Sequence, residues 1–237
     1  MKNPIPMKNT ILFIAGMLSL VAAGSSSASQ LIDNLKAGKD QTVVVYGTSL
    51  TAGGEWTKAL KAWLETVNPK AKVTFVNSGQ SGKNSIVGLQ KLDEVVIAKK
   101  PDTVLIEFAV NDAGKHEGKE RAVTQEQCAK NLGEMIDRIR KALPGTEIIL
   151  QTMNPAWDAP NGNRSGTIRP DLASYYEVYR KVAAERGLKL IDHNKNWEKI
   201  RSENEEQFKA YVADGVHPTK DASVKVTFPE VKKALEE

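Results

Sequence analysis

Four short stretches of this chain carry residue types that could do chemistry together. VVVYGTSLTAGG (43–54) runs an apolar segment straight into Ser49, and VNSGQSGKNS (76–85) places Gly79 and Gly82 among hydroxyls and amides. FAVNDA (108–113) ends on Asn111 and Asp112, and DGVHP sets Asp214 three residues before His217. A serine hydroxyl is a weak nucleophile until a neighbouring base takes its proton. Histidine, with an unperturbed pKa of about 6.5, suits that task. A carboxylate must then fix its tautomer and support the imidazolium that forms. One turn of chain brings Asp214 to the far ring nitrogen of His217. The backbone N–H groups of Ser49 and Gly82 and the amide of Asn111 supply three donors for a developing oxyanion. A glycine at 82 leaves room for close approach of substrate. The combination points to acyl transfer through a serine.

Each stretch also has a plainer reading. Gly, Thr and Ser are ordinary loop residues, and Asn-Asp after a strand is a common turn or helix cap. His217 could be a surface histidine. What sets the plain readings aside is placement. TVVVYG (42–47), KVTFVN (72–77), DTVLIEFAV (102–110), TEIILQTM (146–153) and LKLID (188–192) read as strands. Between them, 55–67, 86–100, 124–142 and 171–187 carry apolar residues at helical spacing. Alternating strands and helices, with strands apolar on both faces, predict a parallel sheet covered by helices. Right-handed crossovers then give a doubly wound five-stranded sheet in a three-layer α/β/α sandwich. Ligands of such folds sit beyond the carboxyl ends of the strands. That is where Ser49, Gly82 and Asn111 fall. His193, at the end of the fifth strand, is a competing base, but only His217 has a carboxylate at short fixed spacing.

On these residues the chain resembles the SGNH (GDSL) hydrolase superfamily, named for its serine, glycine, asparagine and histidine blocks. GTSLTAGG resembles the first block, NSGQSGKNS the second, AVNDA the third and DGVHP the last, all in order. The resemblance implies the flavodoxin-like SGNH hydrolase fold, with Ser49, His217 and Asp214 as catalytic residues. It also implies an oxyanion hole of Ser49, Gly82 and Asn111, and no cofactor or metal. One position departs from the pattern: Thr48 stands where the family usually has Asp.

Rival motifs fail on spacing. A P-loop would need glycine at Asn77 and Ser or Thr at Asn84. No G-x-S-x-G elbow is present. His116, His193 and His217 show no paired metal-ligand spacing.

Residues 1–28 read as a secretory signal peptide, with 29–237 as one hydrolase domain. MKNPIPMKNT is basic, ILFIAGMLSLVAA is apolar and GSSSAS offers small residues for cleavage. The apolar run falls short of the about 20 residues a membrane span needs. Met7 is an alternative start. Losing Lys2 and Lys8 lowers the formal net charge from +4 to +2, so the pI of about 9.0 overstates the basicity of the remainder. No basic cluster interleaved with aromatics marks a nucleic-acid partner. A single cysteine, Cys128, excludes an internal disulfide. The expectation is a secreted or periplasmic protein without a stable membrane anchor.

The substrate expected is a small or polymeric acyl ester: a short acyl group, acetyl first, on carbohydrate. The polar loop 154–170 offers Trp157 as a stacking surface for a sugar ring, although Trp157 could equally anchor that loop to the body. A lysophospholipase- or thioesterase-like hydrolase is the alternative. O-acyl transfer by the same residues and a non-catalytic binding protein are the other readings.

Overall fold

The computed structural model describes residues 1, 28–115, 122–161 and 164–237. The predicted leader and His116 therefore lie outside the described residues, apart from Met1 and Ala28.

Five parallel strands form the sheet: Gln41–Gly47 (β1), Val73–Asn77 (β2), Thr103–Glu107 (β3), Glu147–Gln151 (β4) and Lys189–Ile191 (β5). Their spatial order is β2-β1-β3-β4-β5, so the chain winds outward in both directions from β1 and β3. This is the doubly wound sheet expected from the alternation of elements. In β1 the side chains point alternately to the two faces. Val44 and Tyr46 join Val104, Ile106 and Leu150 in one buried cluster, while Val43 and Val45 join Leu105, Ile149 and Ile191 in another. The first cluster is closed by Ser85–Val95 (α4), Gln125–Ala142 (α6) and Leu172–Arg186 (α7). The second is closed by Gln30–Lys36 (α1), Glu55–Val67 (α3) and Phe228–Glu236 (α11).

Several boundaries differ from the sequence expectation, each for a local reason. The third strand stops at Glu107 rather than at 110, because Phe108 leaves the extended region (φ −139°, ψ −8°) and Ala109–Asp112 (α5) winds one helical turn. The helix expected over 86–100 ends at Val95, continues as a 3-10 turn and closes on Lys100 in the left-handed region at φ 50°. Helix α1 was not anticipated. Ser29 caps it, and the Glu147 carboxylate accepts hydrogen bonds from the N–H groups of Gln30 and Leu31.

The C-terminal third contains more helix than the sequence indicates. His193–Glu203 (α8) and Glu205–Tyr211 (α9) pack Trp197 against Phe208 and Val212 in a third buried cluster. Lys220–Ala222 (α10) passes through a π-helical stretch, Ser223–Thr227, into α11. The segment bearing Asp214 and His217 lies between α9 and α10. No helix among the described residues is long and apolar enough to cross a membrane.

Candidate active site

Ser49 opens a one-turn helix, Ser49–Ala52 (α2), directly beyond the carboxyl end of β1. Thr48 caps it, its hydroxyl accepting from Leu50 N–H at 3.2 Å. The Ser49 hydroxyl lies 2.7 Å from His217 Nε2, across 168 residues of sequence. His217 Nδ1 lies 2.6 Å from Asp214 Oδ2. An ionised carboxylate can only accept, so Nδ1 carries the proton and Nε2 is left to accept from the Ser49 hydroxyl. Burial by itself would raise the Asp214 carboxyl. Hydrogen bonds from His217 N–H, Val216 N–H and the imidazole outweigh that and hold it below its ordinary value. Gly215 sits between them in the left-handed region at φ 91°, the bend that folds Asp214 back onto His217.

The donors expected for an oxyanion stand at the adjoining strand ends. Asn111 stands in the turn of α5 beyond β3, and its Nδ2 donates to Lys83 O at 2.9 Å, in the turn that carries Gly82. That bond uses one of the two amide hydrogens. Gly82 adopts φ 71°, and a Cβ there would meet no protein atom within 4 Å. On the protein side its requirement is thus conformational rather than steric. The two turns are further clipped together by Asp112, whose Oδ1 accepts from Ser85 N–H at 2.7 Å. Asn131 Nδ2 in turn donates to Ser85 Oγ at 2.8 Å.

A cavity of about 280 Å³ opens beside Ser49 and His217. Leu50, Trp56, Met153 and Pro218 give it apolar walls, and Ser81 and Ser223 also line it. Among the described residues, no group of three or more His, Cys, Asp or Glu is placed to hold a metal ion.

Two sequence candidates lie elsewhere. His193 is the first residue of α8 and is fully buried; its Nε2–H donates to Gln151 Oε1 at 3.2 Å. Burial pushes its pKa down to about 3, so the ring is neutral and distant in role from Ser49. Trp157 does not line the cavity and is half-buried rather than exposed. Its indole N–H donates to Val212 O at 2.7 Å, and the Lys209 ammonium covers the ring at 5.7 Å from its centroid. These contacts support the second of the two roles expected of Trp157, the anchoring of its loop. Trp157 N–H donates to Gly215 O and Asn154 Nδ2 to Val216 O, so Asn154 and Trp157 hold the turn of Asp214 and His217.

One buried group at the site was not singled out from sequence. Glu107, at the end of β3, is 1% exposed, and its carboxylate lies under the turn that bears Ser49. Burial drives its pKa up to about 7 against hydrogen bonds from Thr51 and Thr48. The signal available in the sequence is a lone acid inside the apolar run TVLIEFAV.

A family model described as the GDSL-like Lipase/Acylhydrolase family matches residues 45–223, a span that contains the blocks GTSLTAGG, NSGQSGKNS, AVNDA and DGVHP. Thioesterase 1/protease 1/lysophospholipase L1 of Escherichia coli (strain K12) is 25% identical over 189 residues, covering 79% of this chain and 80% of its own. An acetylxylan esterase from Geobacillus stearothermophilus shares the fold with a TM-score of 0.70 at 22% identity, covering 85% of this chain and 97% of its own. An α/β hydrolase from the metagenome of Lake Arreo, Spain, aligns with a TM-score of 0.69 at 22% identity, covering 90% and 98%. With the fold and the four blocks in place, the chain belongs to the GDSL-like lipase/acylhydrolase family and is an ester-hydrolysing enzyme.

Proposed function

We propose that this enzyme is an exported serine esterase that removes short acyl groups, acetyl first, from carbohydrate. The observation that carries the catalytic part is the continuous hydrogen-bond chain from Ser49 Oγ through His217 to Asp214, at 2.7 and 2.6 Å. Ser49 Oγ attacks the ester carbonyl while His217 Nε2 takes its proton. Asp214 holds the ring and balances the imidazolium. The carbonyl oxygen gains charge among the N–H groups of Ser49 and Gly82 and the Asn111 amide. His217 then returns the proton to the leaving alcohol, and water repeats the sequence in reverse on the acyl-enzyme. Export rests on the leader read over residues 1–28. Carbohydrate rests on the acetylxylan esterase likeness and no longer on Trp157.

The cavity favours a second reading. Its walls of Leu50, Trp56, Met153 and Pro218 suit an apolar chain, and the Escherichia coli relative is named as a thioesterase and lysophospholipase. A series of p-nitrophenyl esters from acetyl to dodecanoyl, run beside acetylated xylan, separates the two. Activity falling steeply beyond butyrate, with acetate released from xylan, supports the carbohydrate reading. A rise toward octanoyl or longer overturns it in favour of the lipid-like substrate. Product appearing on an added sugar acceptor, at the expense of free acid, would instead make the enzyme a transferase. Ser49→Ala should abolish turnover in every arm, and an active Ser49→Ala protein would overturn the mechanism itself.

A further inference from the structure

The four-residue helix α2 has no means of holding itself in place. A single turn is far below the length at which an isolated helix is stable, yet it must present both the Ser49 hydroxyl and the Ser49 N–H in fixed directions. The Trp56 indole and the Asn77 amide hold its carbonyls, donating to Leu50 O at 2.9 Å and Thr51 O at 3.0 Å, and the donors at its start converge on one acceptor. Thr48 N–H donates to Glu107 Oε1 at 2.7 Å, and Thr51 Oγ1–H donates to the same oxygen at 2.7 Å. Thr48 Oγ1 lies 3.0 and 3.2 Å from the two carboxylate oxygens. Since that hydroxyl already accepts from Leu50 N–H, its own proton is free to point at Glu107. Thr48 and Thr51 are both fully buried, so none of these donors has water as a substitute.

The geometry of the sheet explains how the carboxylate arrives there. Glu107 pairs in register with Gly47, the last residue of β1. A Cβ on Gly47 would run into the Glu107 side chain, so glycine at 47 is what lets the carboxylate pass beneath the turn. None of its hydrogen-bond partners is a cation. Burying an acid without a counter-ion is costly, and three donors from one short turn are what offset it here.

We propose that Glu107 is a positioning residue for the ester hydrolysis: by gathering Thr48 N–H, Thr48 Oγ1 and Thr51 Oγ1 it fixes the turn that aims Ser49 at His217 and at the oxyanion. The proposal rests on the reading of Ser49 as nucleophile. Glu107 touches neither substrate nor the reacting atoms. Its effect reaches the reaction through the orientation of Ser49, and displacement by about 1 Å of a reacting group costs on the order of 100-fold in rate.

The test uses two substitutions and steady-state kinetics on p-nitrophenyl acetate, with the rate of Ser49 labelling by a fluorophosphonate as a second readout. Glu107→Met keeps the unbranched shape but removes both carboxylate oxygens, leaving Thr48 N–H and the Thr51 hydroxyl without their acceptor. It should lower kcat and the labelling rate by on the order of 100-fold, with KM changed less than about threefold. Thr51→Val removes one donor without changing volume and should lower kcat by about tenfold, while Thr51→Ser, which keeps the hydroxyl, stays within about threefold of the parent. Unfolding curves establish that each protein is folded at assay temperature. If Glu107→Met does not fold, the Thr51 pair decides alone. Normal kcat in Glu107→Met, or Thr51→Ser as impaired as Thr51→Val, would overturn the inference. Ser49→Ala separates the two levels: if it remains active, the nucleophile assignment fails, whereas if it is inactive and the Glu107 variant is normal, only the positioning role fails.

Discussion

His193→Gln tests both the assignment of the base and the electrostatics of the core. The native imidazole is fully buried with a pKa of about 3, against 6.5 for the free side chain. Below pH 6.5 the unfolded chain therefore binds a proton that the native protein refuses. By linkage, stability contributed by the neutral buried ring is present above pH 6.5 and is lost as pH falls toward 3. The separation of about 3.5 units sets a ceiling of about 5 kcal/mol, at roughly 1.36 kcal/mol per unit. At pH 5 the loss is about 2 kcal/mol, and at pH 4 about 3 kcal/mol. Glutamine cannot titrate, and its amide can still donate to Gln151 Oε1. Glu107 works in the opposite sense, since its raised carboxyl removes stability as pH climbs from 4.5 through about 7. It is common to both proteins and cancels in the comparison. Urea unfolding followed by tryptophan fluorescence at pH 8, 5 and 4 gives the two curves. The parent's advantage over His193→Gln should shrink by about 2 kcal/mol between pH 8 and pH 5, about 1 M in midpoint at an m-value of about 2 kcal/mol/M. Parallel pH dependences would refute the buried, neutral state of His193. A folded but inactive His193→Gln would refute its separation from the chemistry.

Asn111→Ala should lower kcat by about 100- to 1,000-fold with little change in KM, the pattern of a donor that works mainly in the transition state; a raised KM with normal kcat would show that its bond to Lys83 O is its whole role. Trp157→Ala removes the indole bond to Val212 O and loosens the brace behind Gly215, so it should lower Tm and kcat while leaving KM for acetylated xylo-oligosaccharides unchanged. A selective rise in that KM would return Trp157 to substrate binding. Gly82→Ala places a Cβ in free space but at φ 71°, so it should cost about 1 kcal/mol of stability by urea titration, together with a fall in kcat as the turn shifts its N–H.

The fold class was legible because its signals are local. Apolar runs such as VVVY and TVLI sit between helical periodicities, and parallel order follows from that alternation and crossover handedness. The candidate catalytic residues stood out for a related reason: Ser49, Asn111, Asp214 and His217 lie in short blocks whose types are chemically specific. Two assignments turned on burial, which residue type does not encode. His193 and His217 both stand near strand or motif ends, yet one is buried at the start of α8 and the other reaches Ser49. Trp157 lies in a polar stretch that reads as exposed, but the chain folds back so that its indole finds Val212 and its backbone finds Gly215. Glu107 is the clearest case. In sequence it is one acid in an apolar strand, 59 residues from Thr48. Only the register that sets β3 against Gly47 brings its carboxylate under the nucleophile turn. Local pattern decided which elements form and which residues are candidates for the chemistry; long-range pairing decided which groups are dry, which are braced and which atoms meet.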